Sequence, residues 1–414
     1  MKSGSFPPRK SQFFRMKSSR CSHWFPRSTV NLLLIILFFS CSAKQQDIKQ
    51  IIIENNIETD KIEVYIDPDY LRAREIISGL DVNRLAAQVL ISGIDGRGSL
   101  QPYIVDLLTE IPAGGIMFFR YNLDTGNDSI RSLLSQTKTV ISGESGIAPF
   151  IAVDHEGGTV NRFQSGVLSL PSAVTYWELS QEADKNETLL KIENDSYNDA
   201  LILSELGVNM NFAPVAENLT AENRVFLARR SYGDDPDFTA LASAAFIRGM
   251  EKAGVLCVAK HFPGSAGVDP HYSKSILNLK GGELDELVSP FTYLFKNGAR
   301  AVMAAHTLVP ALDSEIASLS PVVMRNWLRE GLEFEGIIIS DDFIMAAAGG
   351  IAPELAAVKS LAAGSDMILV WPRDLKKTHT AVIEALRNGT LSRERLADAA
   401  FRIIYQKLKT GITD

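Results

Sequence analysis

From about residue 70 onward the chain alternates between two hydrophobic patterns. Stretches with apolar residues recurring every three or four positions predict amphipathic helices, for example 236–254 (PDFTALASAAFIRGMEKAG) and 320–333 (SPVVMRNWLREGLE). Between them lie short, nearly continuous apolar runs rich in Val and Ile. These occupy 88–95, 114–119, 149–156, 208–217, 255–262, 299–307, 336–342 and 366–371. Runs of this kind suit parallel strands buried on both faces. Gly207, Gly254 and Gly298 stand between a helical segment and the next run, where a left-handed helix C-cap is expected.

Eight helix-then-strand units predict an α/β fold of the (β/α)8 barrel type in a single catalytic domain. A doubly wound open sheet is the competing arrangement. It calls for a glycine-rich dinucleotide turn after the first strand, and GIDGRGS (93–99) approximates one only weakly. The segment 392–411 predicts an amphipathic helix packed outside the barrel. In such a fold the C-terminal ends of the strands open on one mouth. Polar residues end several runs: Asp154, His155 and Glu156 the third, Lys260 and His261 the fifth, His306 the sixth, and Asp341 and Asp342 the seventh. All are expected to face one cavity.

The N-terminus follows different rules. Lys17, Arg20 and Arg27 precede an apolar run over 30–39, which small residues follow. This is the layout of a secretory signal, and the run is short for a membrane span. Cys41 closes the run in a setting that resembles a bacterial lipoprotein signal, where the cysteine carries the lipid. The expected organisation is a signal segment over 1–41, a polar tether over 42–69 and the barrel with its C-terminal helices over 70–414. The expected localisation is outside the cytoplasm, on a membrane through Cys41.

Composition narrows the partners. A net charge of −7 over 414 residues, with no basic run in the barrel segment, gives no footing for a nucleic acid. Cys21, Cys41 and Cys257 form neither a disulfide framework nor a zinc spacing. No metal or cofactor is expected, and the chain is expected to be a monomer.

Two stretches carry candidate chemistry. IIISDD (337–342) sets two carboxylates at the end of a buried strand, a costly place unless they are paired or used. Asp342 could cap a following helix. A carboxylate aimed into the mouth could attack a sugar carbon and form a glycosyl ester. KHFPGSAGVDPHYS (260–273) supplies a proton carrier. A histidine such as His271 can give and take a proton, Asp269 could fix its tautomer, and Gly264 and Gly267 could give the loop freedom to move. Taken alone this loop also reads as a solvated turn. Arg162 and Arg230 add donors suited to sugar hydroxyls.

Together GGIMFFRYN, VDHEGGTVNRF, LGVNMNFAPVAEN, RRSYGDDP, KHFPG, AVMAAHTLVPALD, FEGIIISDDFIMAA and SLAAGSDMILV resemble glycoside hydrolase family 3, in its single-domain β-N-acetylhexosaminidase branch. The resemblance runs from about residue 80 to 375. It implies a barrel, retention of configuration and no metal. The nucleophile it implies is Asp341, the acid/base His271 with Asp269, and the sugar-binding residues Asp154, Arg162, Arg230, Lys260 and His261. The substrate it implies is a small glycan or muropeptide that loses a terminal N-acetylglucosamine. The chain departs from the family pattern at Ser265–Ala266, Pro270, His155, Thr159 and Glu217. A β-glucosidase of the same family and an inactive, lipid-tethered glycan-binding protein are the alternatives.

Overall fold

The computed structural model describes residues 67–163, 170–267, 269–345 and 348–413. The signal segment, Cys41 and the tether up to residue 66 lie outside the described residues. The first described helix, Pro68–Gly79, begins two residues before the expected start of the barrel at 70.

All eight apolar runs form strands. They are β1 (Leu90–Gly93), β2 (Gly115–Phe118), β3 (Phe150–Val153), β4 (Met210–Asn211), the pair β5 (Leu256–Cys257) and β6 (Ala259–Phe262), β8 (Ala301–Ala304), β10 (Ile337–Ser340) and β11 (Ile368–Val370). The sequence pattern had not indicated β7 (Ser275–Ile276) and β9 (Thr307–Leu308), which pair with each other. Every ladder is parallel. One sheet runs β11-β1-β2-β3-β4-β5, with Leu90 opposite Ile368 and Ile91 opposite Gly115. A second runs β10-β8-β6. Isolated parallel bridges join Val215 to Lys260 and Ile339 to Met367.

Alternation along β2, β3, β8 and β10 sorts their side chains into two cores. Ile116 and Phe118, Ile151 and Val153, Val302 and Ala304, and Ile338 pack in one cluster with the helices. Their neighbours Met117, Phe150, Ala152, Ala301, Met303, Ile337 and Ile339 pack in another. Both sets are buried, so the runs read as continuous rather than alternating.

The helices begin and end where local chemistry dictates. Asp235 accepts hydrogen bonds from Asp237 N and Phe238 N, and Pro236 opens the helix Pro236–Lys252. Gly249 in that helix allows close packing on the helix Lys185–Leu206: a Cβ there would lie 2.3 Å from the Glu193 carbonyl oxygen. Gly207 caps Lys185–Leu206 at φ 101°, and Gly254 and Gly298 also adopt positive φ, as expected of left-handed caps. The segment expected as a helix over 320–333 is a π-helix over Val322–Gly331. The C-terminal helix Arg393–Lys409 packs on Pro68–Gly79, where Tyr70 meets Phe401 edge-on at 4.9 Å.

Two charged groups are buried near the strand ends that lie away from the polar mouth. Asp366, fully buried just before β11, accepts from Arg329 (2.6 Å), Arg395 (3.0 Å) and Arg402 (3.1 Å). Lys407 is also fully buried. Its ammonium lies 3.1 Å from Gln88 Oε1 and 5.1 Å from the centre of the Phe150 ring. Among the described residues no helix is long and apolar enough to cross a membrane.

Candidate active site

The C-terminal strand ends border a cleft of roughly 300 Å³. Asp154, Arg162, Arg230, Lys260, His261, His271 and Asp341 all line it, together with Glu156, Pro270 and Asp342. Its apolar floor and walls come from Met117, Phe119, Phe212, Met303, Leu369 and Trp371. Asp269 reaches the cleft through His271.

On one side, cations and carboxylates interlock. Lys260, almost wholly buried in β6, donates to Asp154 Oδ1 (2.9 Å) and lies 2.7 Å from Glu156 Oε1. Arg162 Nη2 donates to Asp154 Oδ2 at 2.7 Å. Arg230 grips Glu156 with two bonds of 2.8 Å, from Nε and Nη2. Burial by itself would raise the carboxyl pKa of Glu156. The charges of Lys260 and Arg230 and their hydrogen bonds outweigh it and hold the group well below the usual carboxylate range. Asp154 is lowered too, against its burial, by Lys260 and Arg162. Both acids therefore stay ionised at neutral pH and serve as acceptors. The backbone that places Glu156 needs glycine next to it. Gly157 and Gly158 have φ of 89° and 56°, and Cβ atoms there would lie 2.3 Å from Pro171 O and 2.4 Å from Ser172 Cβ.

Opposite stand the two aspartates that follow β10. Among the residues described directly after Asp342, 343–345, there is no helix of the kind it was expected to cap. The backbone turns there, and Asp342 Oδ1 accepts from Ile344 N (3.0 Å) while Oδ2 accepts from Trp371 Nε1. Burial raises its pKa, and the neighbouring Asp341 adds to the effect. Asp341 Oδ1 accepts from Asp342 N at 2.8 Å. Among the described residues no hydrogen-bond donor reaches its Oδ2, so one oxygen of Asp341 is left for a ligand.

The third element is the segment after β6. His271 Nδ1 lies 2.7 Å from Asp269 Oδ1, and the same oxygen accepts from His271 N at 2.9 Å. Asp269 is lowered, against its slight burial, by these two bonds. The His271 side chain is 60% exposed, which leaves its other nitrogen open to the cleft. Hydrogen bonds surround Gly264 and Gly267, the glycines expected to give the loop freedom to move. Gly264 O accepts from Thr307 Oγ1 (2.8 Å), Ala266 N donates to Ser275 Oγ (2.9 Å) and Gly267 N donates to Glu222 O (2.7 Å). Their φ of 141° and 79° is a fixed shape only glycine takes easily. The root of the loop is held, and only the turn beyond it is exposed.

Two predicted cavity residues lie elsewhere. His155 is fully buried behind the cleft and pairs through Nε2 with Asp199 Oδ2 at 3.0 Å. His306 is buried against Phe343 with its Nδ1 2.7 Å from Ser318 Oγ, and burial lowers its pKa. In both cases a strand-end position faces the helices or a neighbouring loop rather than the cleft. Conversely, sequence reasoning misses Trp371, Phe119 and Met303. Trp371 ends the last strand and stacks on Phe119 at 4.9 Å. A large aromatic at a strand end, followed by a helix-opening proline, is the signal that could have found it.

A parallel α/β fold whose strand ends gather a free carboxylate, a carboxylate–histidine pair and a ring of charged hydrogen-bonding groups defines an enzyme for a polyhydroxylated ligand. The chain belongs to glycosyl hydrolase family 3: residues 87–405 match the Glycosyl hydrolase family 3 N terminal domain. It is 34% identical over 295 residues to a beta-hexosaminidase of Methylococcus capsulatus, a match covering 69% of this chain and 83% of that one. Among solved structures, it resembles the NagZ of Neisseria gonorrhoeae in complex with N-trifluoroacetyl-D-glucosamine. That likeness has a TM-score of 0.65 and 28% identity, and covers 77% of this chain and 89% of that one. It also resembles a family 3 beta-N-acetylglucosaminidase from a Paenibacillus species, with a TM-score of 0.73 and 27% identity over 81% of this chain. The match spans 63% of that longer protein.

Proposed function

We propose that the protein is a retaining exo-β-N-acetylglucosaminidase, acting outside the cytoplasm on terminal N-acetylglucosamine of peptidoglycan-derived fragments. The observation that carries this reading is the unpaired Oδ2 of Asp341 in the same cleft as the Asp269–His271 pair. The relatives named beta-hexosaminidase support the sugar. In the first step Asp341 Oδ2 bonds to the anomeric carbon as the glycosidic C–O bond breaks, and His271 gives the leaving oxygen a proton. In the second, His271 takes a proton from water. The water oxygen bonds to the anomeric carbon and Asp341 leaves as a carboxylate. Two inversions give net retention. Asp269 holds the imidazole and stabilises it when it is protonated. Asp154, Arg162, Arg230, Lys260 and His261 hold the sugar.

Asp342 is less suited to be the nucleophile. Both its oxygens are engaged and burial favours its neutral form. Glu156 is held ionised by two cations and is equally unsuited to donate a proton. The strands form one closed (β/α)8 barrel in this reading. It is supported by β1 pairing with both β2 and β11, and by the bridges that link the two sheets at Val215–Lys260 and Ile339–Met367. Export and anchoring through Cys41 rest on the N-terminal sequence pattern.

The test is to trap the intermediate. A fluorinated N-acetylglucosaminyl substrate, whose second step is slow, should add one sugar mass to the protein. Peptide mapping should place that mass on the peptide containing Asp341 and remove it in Asp341→Asn. Turnover with no trapped adduct, or an adduct that persists in Asp341→Asn, overturns the mechanism.

A further inference from the structure

The proposed roles leave one fully buried acid unexplained. Glu217, just beyond β4, has no solvent exposure, yet four donors converge on its carboxylate. Oε1 lies 2.6 Å from His261 Nδ1 and accepts from His261 N at 3.2 Å. Ser265 contributes its backbone N–H to Oε2 at 2.5 Å and its hydroxyl to Oε1 at 3.2 Å. A buried carboxylate is tolerated when its lone pairs are filled in this way. The two residues it grips have different duties. His261 lines the cleft. Ser265 belongs to the held root of the segment that carries Asp269 and His271.

We propose that Glu217 is a positioning residue that fixes His261 with the proton on Nδ1, so that Nε2 faces the sugar, and that also pins the root of the acid-bearing loop at Ser265. This inference rests on the glycosidase reading above. Both Glu217 oxygens already accept from backbone N–H groups, so the imidazole nitrogen at 2.6 Å is placed to be a further donor. A carboxamide cannot replace it: its NH2 would be set against the Ser265 N–H or against His261, donor to donor. One side chain thus joins the element that binds the sugar to the element that delivers the proton. If the sugar is misplaced or the loop root shifts, both effects trace to Glu217.

The experiment has an arm that needs no turnover. Nitrogen-15 NMR of the full-length protein, with the His261 signal assigned through His261→Ala, reports which ring nitrogen carries hydrogen. Nδ1 should be protonated in the wild type, and an unprotonated Nδ1 overturns the proposal. The kinetic arm compares Glu217→Gln and Ser265→Ala with the wild type on a dinitrophenyl and a methyl N-acetylglucosaminide. Glu217→Gln should raise KM at least tenfold on both, through His261. It should lower kcat at least tenfold more on the methyl glycoside, which needs the proton. Ser265→Ala keeps the backbone donor and should change KM less than twofold. A Glu217→Gln protein that folds, melts early and yet shows wild-type KM and an unchanged ratio between the two substrates marks Glu217 as a scaffold residue only, and overturns the proposal. If the wild type turns over neither substrate, the functional reading fails, while the NMR result still decides the His261 clamp. If Glu217→Gln does not fold, that same result decides.

Discussion

Replacing Lys407 with methionine should stabilise the protein at neutral pH and lose that advantage in alkali. Burial alone pushes the Lys407 amine from its ordinary 10.5 down to about 7. Gln88 Oε1 and the Phe150 ring replace little of the lost hydration. The gap of about 3.5 pH units, at about 1.36 kcal/mol each, makes the charged amine cost folding about 5 kcal/mol. At pH 7, where half the native molecules hold it neutral, the cost is about 4 kcal/mol. Methionine has similar length and no charge, but it leaves Gln88 Oε1 without its donor, a loss of about 1–3 kcal/mol. The net gain at pH 7 is therefore about 1–3 kcal/mol. The sign with pH follows from proton counts. Between pH 7 and 10.5 the unfolded chain binds the proton and the native state does not, so wild-type stability rises with pH across that window. The methionine advantage is complete below pH 7 and crosses zero between about pH 8 and 10, and above about pH 10.5 the lost hydrogen bond leaves the variant about 1–3 kcal/mol weaker. Urea midpoints followed by circular dichroism at pH 6, 8 and 10 give the difference, and other titrating groups cancel between the two proteins. A methionine variant that is less stable at pH 6, or a difference that does not change with pH, refutes the reasoning.

The remaining predictions concern the cleft and the leader. Asp341→Asn should lower kcat by several orders of magnitude on any glycoside, and Asp342→Asn by far less; steady-state kinetics giving the reverse order would move the nucleophile by one residue. His271→Ala should slow hydrolysis strongly for an alkyl leaving group and much less for dinitrophenolate, whereas Lys260→Ala should weaken both alike, as kcat/KM on the two substrates will show. Glu156→Gln removes a carboxylate that Lys260 and Arg230 hold low. It should remove stability that the wild type keeps above pH 4.5 and loses as acid protonates that group below it, seen as a smaller change in melting temperature between about pH 2.5 and 5. A palmitate analogue fed to cells should label the wild type and not Cys41→Ser; equal labelling removes the anchor.

Much of this architecture is legible because parallel strands buried on two faces leave an unbroken apolar signature. Runs such as IIIS and FIAV stand out without any partner being known. The polar residues that end them point to the cleft for the same reason, since charge at a core edge needs a purpose. What the chain does not announce is direction. His155 and His306 end their runs just as Lys260 and His261 do, but a strand end is free to turn its side chain toward a helix, and only packing decides. Nor does spacing reveal that Glu217 reaches His261 and Ser265, 44 and 48 residues further along. The loop glycines are ambiguous for a related reason. Glycine marks both a hinge and a fixed left-handed bend, and the hydrogen bonds that separate the two are tertiary.

The division of several strands between two cores also bears on how readily such an enzyme could be re-specified. Met117, Phe212, Met303 and Leu369 form the floor of the cleft, while their immediate neighbours Phe118, Ala213 and Val302 anchor the helices. A change at Met117, Phe212 or Met303 therefore falls in one core while the next residue along the chain packs in the other. Two of the four are methionines, whose unbranched, polarisable side chains refill space after a neighbour changes. A lineage under pressure for a new sugar could explore this floor by single steps and keep its framework. Selection would then leave its record in alternate residues of the strands.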